Sequence, residues 1–499
     1  MNEMSAVVWN PIPANTFHSR ISASSNPTLK IASNASSTAS LALWTASEIA
    51  EAVGGRIVKW GPPGTVSSDT RTLRPGQWFF AIAGKKFDAH DFVNPQLRDK
   101  GCVGVIGNKV CHGWDGGFVQ VGGDSVGSLT RMGSYARGRF FGPVIGVTGS
   151  VGKTTTKTMI ALVLEGSNHK VYQSPGNWNN QIGVGLSLIG LPRDGGIAVL
   201  EMGMSGKGEI LELARMARPL IRMILNVGPS HLENFYSLKE VANAKGEIFE
   251  EAVQGDTCIL NADDPFVAGI HIPNGVRKVM FGQKQGSDVR LVAAEVIDKG
   301  LSIRVVLEDT IEMVEFVIPS PGVHLALNAC AAAAAVSLLG VSLSQVGLSL
   351  SRFTPIKQRS VLEVTKNGIK LVNDVYNANP DSTKAAIDLL TGIKCDGKRV
   401  AILADMLELG KSGHEYHEMI LKYCFDRSID LVGLVGSHFG RVSKDWPWRK
   451  RSNIICACDA DSMAIKIVGM LNGKDVVLVK GSRKMKMEIV VEAIRAKEK

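Results

Sequence analysis

The stretch GVTGSVGKTTT, from Gly146 to Thr156, decides the fold of this chain. The apolar residues 144–147 predict a short buried strand that runs into it, and TKTMIALVLEG, which begins at Thr156, predicts a helix that leaves it. A glycine-rich turn between a strand and a helix directs free backbone N–H groups and the positive end of the helix dipole at an anion. The stretch therefore predicts a phosphate-binding loop.

The residue types in this loop suit a nucleoside triphosphate. Gly149 and Gly152 let a phosphate approach the backbone, Lys153 supplies a positive charge, and the Thr154 hydroxyl is a ligand for Mg²⁺. Val147 stands where the usual pattern has its first glycine, so an ordinary glycine-rich turn is the alternative. The Gly-Lys-Thr-Thr ending favours nucleotide binding, but such a loop does not by itself identify a reaction.

Length and composition indicate a large globular chain. The 499 residues suggest about three domains, and 45% hydrophobic with 21% charged residues is ordinary for folded proteins. The net charge of +9 suits anionic partners, but no long basic run is present, which favours nucleotide phosphates over nucleic acid. The 8 cysteines form no CxxC pair, so we expect reduced thiols in a reducing compartment.

Residues 1–40 differ from the rest of the chain. They are rich in serine and threonine, contain Glu3 as their only acid, and lack a continuous apolar run. This composition predicts an organelle transit peptide that directs the chain to the plastid stroma, and an untargeted, disordered extension is the alternative. If residues 1–40 are not a transit peptide, the expected location is the cytoplasm. No stretch predicts membrane insertion, since the most apolar one, from Cys330, is short and interrupted.

Strand-like and helix-like segments alternate along the rest of the chain. This alternation predicts an α/β protein with parallel, doubly wound sheets. We expect three domains, a small α/β domain at 41–135, a central domain at 136–352 and a third at 353–499. The segment from Asp288 to Val317 is richer in β-branched residues and predicts an antiparallel extension of the central domain.

Three charged residues of the central block are candidates for chemistry. Glu201 ends the strand IAVLEM, at the sheet edge where α/β proteins bind ligands, and could hold the Mg²⁺ that Thr154 contacts. A capping or solvated glutamate is the alternative. His231 follows the strand IRMILNVGPS and Lys245 lies on the next helix, but residue type alone does not separate them from a structural histidine and a solvated lysine.

Two loops rich in asparagine are further candidates. GNWNNQIG, from Gly176 to Gly183, offers neutral donors and acceptors to a phosphate or a sugar, and a polar turn is the alternative. DVYNANPDS, from Asp374 to Ser382, places an aspartate at a strand end, where it could accept hydrogen bonds from ribose hydroxyls. A simple strand-to-helix turn is the competing interpretation.

Taken together, these segments resemble the Mur ligase family, and within it the members that add D-alanyl-D-alanine. The resemblance runs from about Trp44 to the C-terminus and rests on SSDTRTLRPGQWFFAIAGKKFDAHDF, GVTGSVGKTTTK, GNWNNQIG, LEMGMSGKGEI, GPSHLENFYSLKEVANAKGEIF, LNADDP, HLALNACAAAA, DVYNANPDS, LADMLELG and VKGSR. It implies a central P-loop ATPase domain with a parallel sheet, a C-terminal Rossmann-like domain and a small N-terminal domain that binds the UDP end of the substrate.

The resemblance also implies roles for individual residues. ATP would contact Gly149, Ser150, Val151, Gly152, Lys153, Thr154, Thr155, Asn328, Arg359, Asp374, Tyr376, Asn377 and Asn379. Two Mg²⁺ ions would be held by Thr154, Glu201, His231 and Lys245, the last as an N-carboxylated (carbamylated) lysine. Lys153, Lys245, His231 and Arg359 would be catalytic. The other substrates would contact Ser68, Asp69, Thr70, Arg71, Asp88, His90, Asp91, Asn177, Asn180, Lys480, Ser482 and Arg483.

The implied reaction joins UDP-MurNAc-tripeptide to D-Ala-D-Ala through an acyl phosphate made from ATP. We expect a monomer that binds neither nucleic acid nor membrane. The alternatives are another amide ligase of the Mur or folylpolyglutamate type, and a nucleotide-binding scaffold that has lost catalysis. The chain departs from the family pattern in HLALNAC, where Leu325 and Leu327 flank Ala326 and an asparagine common in relatives at that turn is missing.

Overall fold

The computed structural model describes residues 43–84, 87–109, 112–297, 300–445 and 453–497. The predicted transit peptide at residues 1–40 lies outside the described residues. The described chain contains three sheets, each with helices against it. The predicted α/β class is confirmed.

The first sheet, within the described ranges, has five strands in the order β1-β5-β4-β3-β2. β1 runs antiparallel to β5 and the other neighbours are parallel. Its core contains the fully buried rings of Trp44, Trp78 and Phe80. The elements are α1 (Ala46–Val53), β1 (Arg56–Lys59), β2 (Thr65–Ser67), β3 (Gln77–Phe80), α2 (Pro95–Asp99), β4 (Gly104–Gly107), β5 (Gly117–Gln120) and α3 (Ser125–Gly138).

The second sheet has the order β14-β13-β12-β11-β10-β9-β6-β8-β7 in the described part of the chain. The strands from β6 to β11 pair in parallel, so their carboxyl ends lie at one edge. They are β6 (Val144–Thr148), β7 (Val171–Gln173), β8 (Ile197–Glu201), β9 (Ile221–Ile224), β10 (Thr257–Asn261) and β11 (Arg277–Gly282). β6 lies between β8 and β9, which brings the segments after these three strands together.

Seven helices among the described residues belong to the second sheet. They are α4 (Lys153–Gly166), α5 (Gln181–Ile189), α6 (Glu209–Ala217), α7 (Leu238–Glu250), α8 (Pro265–Ala268), α9 (His324–Ser337) and α10 (Leu343–Leu350). α4 begins at Lys153, three residues before the predicted start, because the lysine and threonines already have helical backbone geometry after Gly152. The lysine therefore lies in the first helical turn.

The predicted antiparallel extension is confirmed. β12 (Val289–Ile297), β13 (Gly300–Leu307) and β14 (Glu312–Ile318) pair antiparallel at one end of the second sheet. Only the start of β12 pairs with β11, in parallel, so the extension joins the sheet through a short stretch. It lies four strands away from the phosphate loop and does not line it.

The third sheet, as far as it is described, has the order β15-β16-β20-β17-β18-β19. β15 is antiparallel to β16 and the rest are parallel, with apolar cores on both faces. Its elements are β15 (Val361–Val364), β16 (Lys370–Asp374), α11 (Pro380–Gly392), β17 (Arg399–Ala404), α12 (Gly413–Asp426), β18 (Leu431–Val435), α13 (Ser437–Asp445), β19 (Ile454–Ala457), α14 (Ala460–Ile467), β20 (Val476–Lys480) and α15 (Glu488–Ala496).

Helix α3 connects the first sheet to the second. Its buried Leu129, Met132 and Ala136 share one core with Trp44 of the first sheet and Ile189 of α5. The expected domain limit between residues 135 and 136 lies inside this helix. The exact limit stays a prediction, because the helix packs on both sides. None of the helices described is long and apolar enough to cross a membrane.

Candidate functional site

The turn between β6 and α4 has the backbone geometry of an anion cradle. Gly152 has φ = 85° and caps α4. A Cβ at this position would also lie 2.5 Å from Asn328 Oδ1, so both the conformation and the space require glycine. The N–H of Val151 donates to Asn226 Oδ1 at 2.9 Å and that of Ser150 to the Asn226 carbonyl at 3.1 Å. Asn226, which the sequence analysis did not select, therefore holds the tip of the loop.

Lys153 lies folded over this turn. Its Nζ donates to the Gly149 carbonyl at 2.7 Å. Removal from water lowers the pKa of Lys153, the positive charge of Arg359 lowers it further, and Glu201 opposes both. The lysine is therefore held close to the loop backbone, where a phosphate would compete for it.

Glu201 is a buried carboxylate that contacts the first turn of α4. It is 1% exposed, and its Oε2 accepts from the Thr154 hydroxyl at 2.7 Å. Its Oε1 accepts from Asn179 Nδ2, also at 2.7 Å. Both oxygens are satisfied, as burial of a charge requires, and the predicted proximity of Glu201 and Thr154 is present.

The three asparagines of the loop at residues 176–183 differ in their surroundings in the structure. Asn179 orients Glu201, whereas Asn180 caps α5 by accepting from the Gly183 N–H at 2.9 Å, and Asn177 is exposed. Lys157 fixes the loop by donating to the carbonyls of Ser174 at 2.7 Å and Gly176 at 2.6 Å. The substrate roles of Asn177 and Asn180 stay predictions, and no sequence signal separates the three asparagines.

His231 and Lys245 lie near Lys153. The pKa of His231 is lowered mainly by desolvation and further by the positive charges of Lys153 and Lys245, while Glu408 opposes this. Lys245 is 2% exposed, and burial, with Lys153 nearby, holds its pKa well below the usual value. Its amine forms no hydrogen bond or ion pair with any residue that the structure describes. A buried lysine without an acidic partner favours its neutral form.

The donor set suits Mg²⁺ bound together with a triphosphate. The described residues contain no group of three His, Cys, Asp or Glu side chains that could hold a metal ion alone. Mg²⁺ is usually held by one or two carboxylates, with substrate phosphates and water completing its six oxygens. Glu201 and the Thr154 hydroxyl match that pattern beside the phosphate loop.

The third sheet contributes cations to the same region. The Arg359 guanidinium lies 3.9 Å from the centre of the Tyr376 ring, and its charge acts on both Lys153 and Lys157. Burial raises the pKa of Tyr376, with smaller effects from the charges of Arg359 and Glu201. Arg359 and Tyr376 therefore face the phosphate loop across the gap between the sheets.

The other residues predicted in the third sheet have protein partners. Lys480 Nζ donates to Asp374 Oδ2 at 2.7 Å and to the Asn377 carbonyl at 2.8 Å, and the Ser360 N–H donates to Asp374 Oδ1 at 3.1 Å. Asn379 caps α11 in a capping box. Ser482 accepts from the Leu407 N–H at 2.9 Å, and Arg483 is exposed beside Gln358. A ribose would have to compete with Lys480 and Ser360 for Asp374.

Asn328 lies behind the phosphate loop. Its Oδ1 is 3.4 Å from the Thr156 hydroxyl, which donates to it, and it lies directly beneath Gly152. Thr155 lies in the first turn of α4. This position supports the loop, and the adenine contact implied by the resemblance stays a prediction.

The residues predicted in the first sheet form local pairs. Asp69 accepts from the Arg71 guanidinium at 2.7 Å, which lowers the pKa of Asp69, and Ser68 and Thr70 are the chain neighbours of Asp69. Asp88 accepts from His90 and from Lys109, and these bonds lower its pKa, while Asp91 is exposed.

Comparison with known families covers most of the chain. The sequence profile of the Mur ligase middle domain matches residues 147–336, and that of the Mur ligase glutamate ligase domain matches residues 359–483. The UDP-N-acetylmuramoyl-tripeptide–D-alanyl-D-alanine ligase of Bacillus subtilis is 32% identical over 86% of this chain and 92% of its own length.

Solved structures agree with these matches. A crystal structure of MurF from Acinetobacter baumannii superimposes with a TM-score of 0.81 at 28% identity, covering 92% of this chain and 100% of that one. The MurF ligase of Thermotoga maritima in complex with ADP gives a TM-score of 0.72 at 28% identity, covering 87% and 97%. The resemblance inferred from the sequence is confirmed.

The buried amine of Lys245 predicts a stability gain on its removal. Lys245→Met should unfold at higher denaturant than the parent near neutral pH in CO₂-free buffer. Between the lowered folded pKa and the unfolded value of about 10.4, the unfolded parent binds the extra proton, so parental stability rises with pH. The difference between the two proteins should therefore shrink, by at most about 1.4 kcal/mol per pH unit, and become constant above about pH 10.4. A difference independent of pH would contradict this.

Proposed function

Because this chain belongs to the Mur ligase family, we propose that it uses ATP to join D-alanyl-D-alanine to UDP-N-acetylmuramoyl-tripeptide. The observation that carries the proposal is the match, over 86% of this chain, to a ligase of that name. The arrangement of Lys153, Thr154 and Glu201 supports the ATP-dependent part. The three expected domains, at 41–135, 136–352 and 353–499, belong to the same proposal, as does a monomeric state.

The phosphate loop would bind the triphosphate of ATP. Lys153, now bonded to the Gly149 carbonyl, would turn to the β- and γ-phosphates. Glu201 and Thr154 would hold one Mg²⁺, and His231 with Lys245 would hold a second. These ions would neutralise phosphate charge and hold the reacting oxygens in place.

The chemistry must overcome the poor reactivity of a carboxylate. The terminal carboxylate of the tripeptide attacks the γ-phosphorus of ATP, ADP leaves, and an acyl phosphate forms. The amine of D-alanyl-D-alanine then attacks the acyl carbon, giving a tetrahedral intermediate. This intermediate releases inorganic phosphate and a proton as the amide forms. Cations that are already in position lower the barrier to bringing the anionic carboxylate and the anionic triphosphate together.

Residues of the third domain would cover the acyl phosphate. Arg359 and Tyr376 face the loop, and the Asp374–Lys480 pair lies at the adjoining strand ends. Water would hydrolyse the acyl phosphate, so a site closed from both sides protects it. Asp69 and Arg71, with Asp88 and His90, would contact the UDP end at a distance from this chemistry.

Lys245 fits the carbamate that the family resemblance implies. Carbon dioxide reacts only with a neutral amine, and burial favours that form of Lys245. The product is an anionic oxygen ligand, with the amine proton released to solvent. Its charge would be stabilised by Lys153 and by Mg²⁺, for which carboxylate-like oxygens are suited.

Residues 1–40 are proposed to direct import into a plastid, on their composition alone.

A ligation assay tests the proposed reaction. Phosphate should be released from ATP only when UDP-MurNAc-tripeptide and D-Ala-D-Ala are both present. Lys153→Met should lower the rate at least about 100-fold, because a charge at the transferred phosphoryl group is lost. L-Ala-L-Ala and diaminopimelate serve as control acceptors. Phosphate release that is independent of the dipeptide, or faster with diaminopimelate, would point to another amide ligase. If no phosphate is released under any condition, the chain is a nucleotide-binding scaffold that has lost catalysis.

The carbamate is tested separately. Lys245→Ala should lower turnover at least about 100-fold, and short-chain carboxylates should restore part of it by replacing the anionic ligand. Lys239→Ala, on the exposed face of the same helix, is the matched control and should behave as the parent. A folded Lys245→Ala protein that no carboxylate restores would contradict the carbamate.

Targeting is tested with a fluorescent reporter fused to residues 1–40. The fusion should enter plastids when produced in plant cells. The same segment with Arg20 and Lys30 replaced by glutamate should be imported less, since acidic residues are disfavoured in transit peptides. A cytosolic signal from the unaltered fusion would end the targeting proposal.

A further inference from the structure

Two loops from different sheets meet beside the phosphate site. One is residues 231–233, which follow β9, and the other is residues 408–410, which follow β17. We call these two segments together the inter-domain clasp. Glu408 Oε2 lies 2.7 Å from His231 Nδ1, and the Glu233 N–H donates to the Glu408 carbonyl at 3.2 Å. The clasp joins side chain to side chain and backbone to backbone.

The clasp fits closely. A Cβ at Gly410 would lie 3.0 Å from the Glu233 Cα, so the two backbones pack against each other. Gly410 has φ = 56°, and the two paired residues share this left-handed backbone, with φ = 56° at His231 and 67° at Glu408. Residues other than glycine adopt it at a cost, and they keep it only where their surroundings determine it.

Stability does not explain this arrangement. The side chains of His231 and Glu408 are 31% and 39% exposed, and ion pairs with that much solvent access contribute little. The strained backbone of His231 and Glu408 therefore fixes the orientation of the His231 imidazole ring. A histidine whose Nδ1 faces a carboxylate carries its proton there and leaves the Nε2 lone pair free. Carboxylates orient metal-binding histidines in this way in many proteins.

We propose that Glu408 is a positioning residue through which docking of the third domain onto the central domain completes the His231 metal site. In the docked state the Glu408 carboxylate sets the tautomer and the direction of the His231 ring. When the domains separate, His231 loses its partner and the second metal ion loses an oriented ligand. The proposal rests on the proposed function only in taking His231 as a ligand of that ion.

The Glu408 side of the clasp belongs to a segment that the family resemblance includes but gives no role. LADMLELG, residues 403–410, contains no residue that was predicted to bind ATP, metal or substrate. The structure places its last three residues on the histidine loop of another domain. Coupling of this kind is reciprocal, so metal binding should in turn favour the docked state.

Metal binding tests the proposal on the full chain. Mn²⁺, read by its EPR signal, is titrated in the presence of a non-hydrolysable ATP analogue and without peptide substrates. Glu408→Ala should weaken the second Mn²⁺ about 10- to 100-fold and leave the first, at Glu201, unchanged. Glu408→Gln, which keeps shape and a hydrogen bond, should weaken it less. Glu233→Gln, with an exposed side chain on the same loop, is the matched control and should bind as the parent.

Small-angle scattering supplies the second measurement. Saturating Mn²⁺ with the analogue should make the parent and Glu233→Gln more compact, and Glu408→Ala less so. Unchanged Mn²⁺ affinity in a folded Glu408→Ala protein, or identical compaction in all variants, would overturn the proposal. Since no peptide substrate is used, a parent that binds Mn²⁺ as expected but fails to ligate D-Ala-D-Ala contradicts the proposed function and not the role of Glu408.

Discussion

The burial of Glu201 between Thr154 and Asn179 is the contact on which the site depends. It fixes one anionic oxygen at the first turn of α4, next to the loop that would receive the triphosphate. Around it lie Lys153 and Lys157, and none of the described acids pairs directly with Lys245. Lys153, Lys157 and Arg359 thus outnumber Glu201 in this region, which favours the binding of anions such as nucleotide phosphates.

Much of this arrangement could be predicted from the sequence, because parallel strands bring their carboxyl ends to one edge. The phosphate loop follows β6, Glu201 ends β8 and His231 lies after β9, and these three strands are neighbours. This topology explains why Glu201 and His231 lie near the loop, but only the family resemblance predicted a role for His231. The family resemblance added Lys245, whose helix position alone would have suggested an ordinary solvated lysine.

The other features of the site could not be predicted, because they depend on contacts between segments that are distant in the sequence, which periodicity does not encode. Asn179 and Asn180 are adjacent, yet one orients a carboxylate and the other caps a helix, according to how the loop is held by Lys157. Asn226 and Glu408 carry no local signal, since their importance lies in the partner each one meets.

Helix α3 decides which parts of the molecule can move. Its apolar face is buried against both α1 and α5, and the Trp44 indole donates to the Ile189 carbonyl at 3.1 Å, so the first two sheets share one core. The third sheet meets the second near the site through polar contacts such as the clasp. Separating the first sheet from the second would expose apolar surface to water. Separating the third sheet from the second would expose polar groups, which water solvates well. Any movement of the third sheet would therefore leave the first two sheets together as one body, because their shared apolar core keeps them joined.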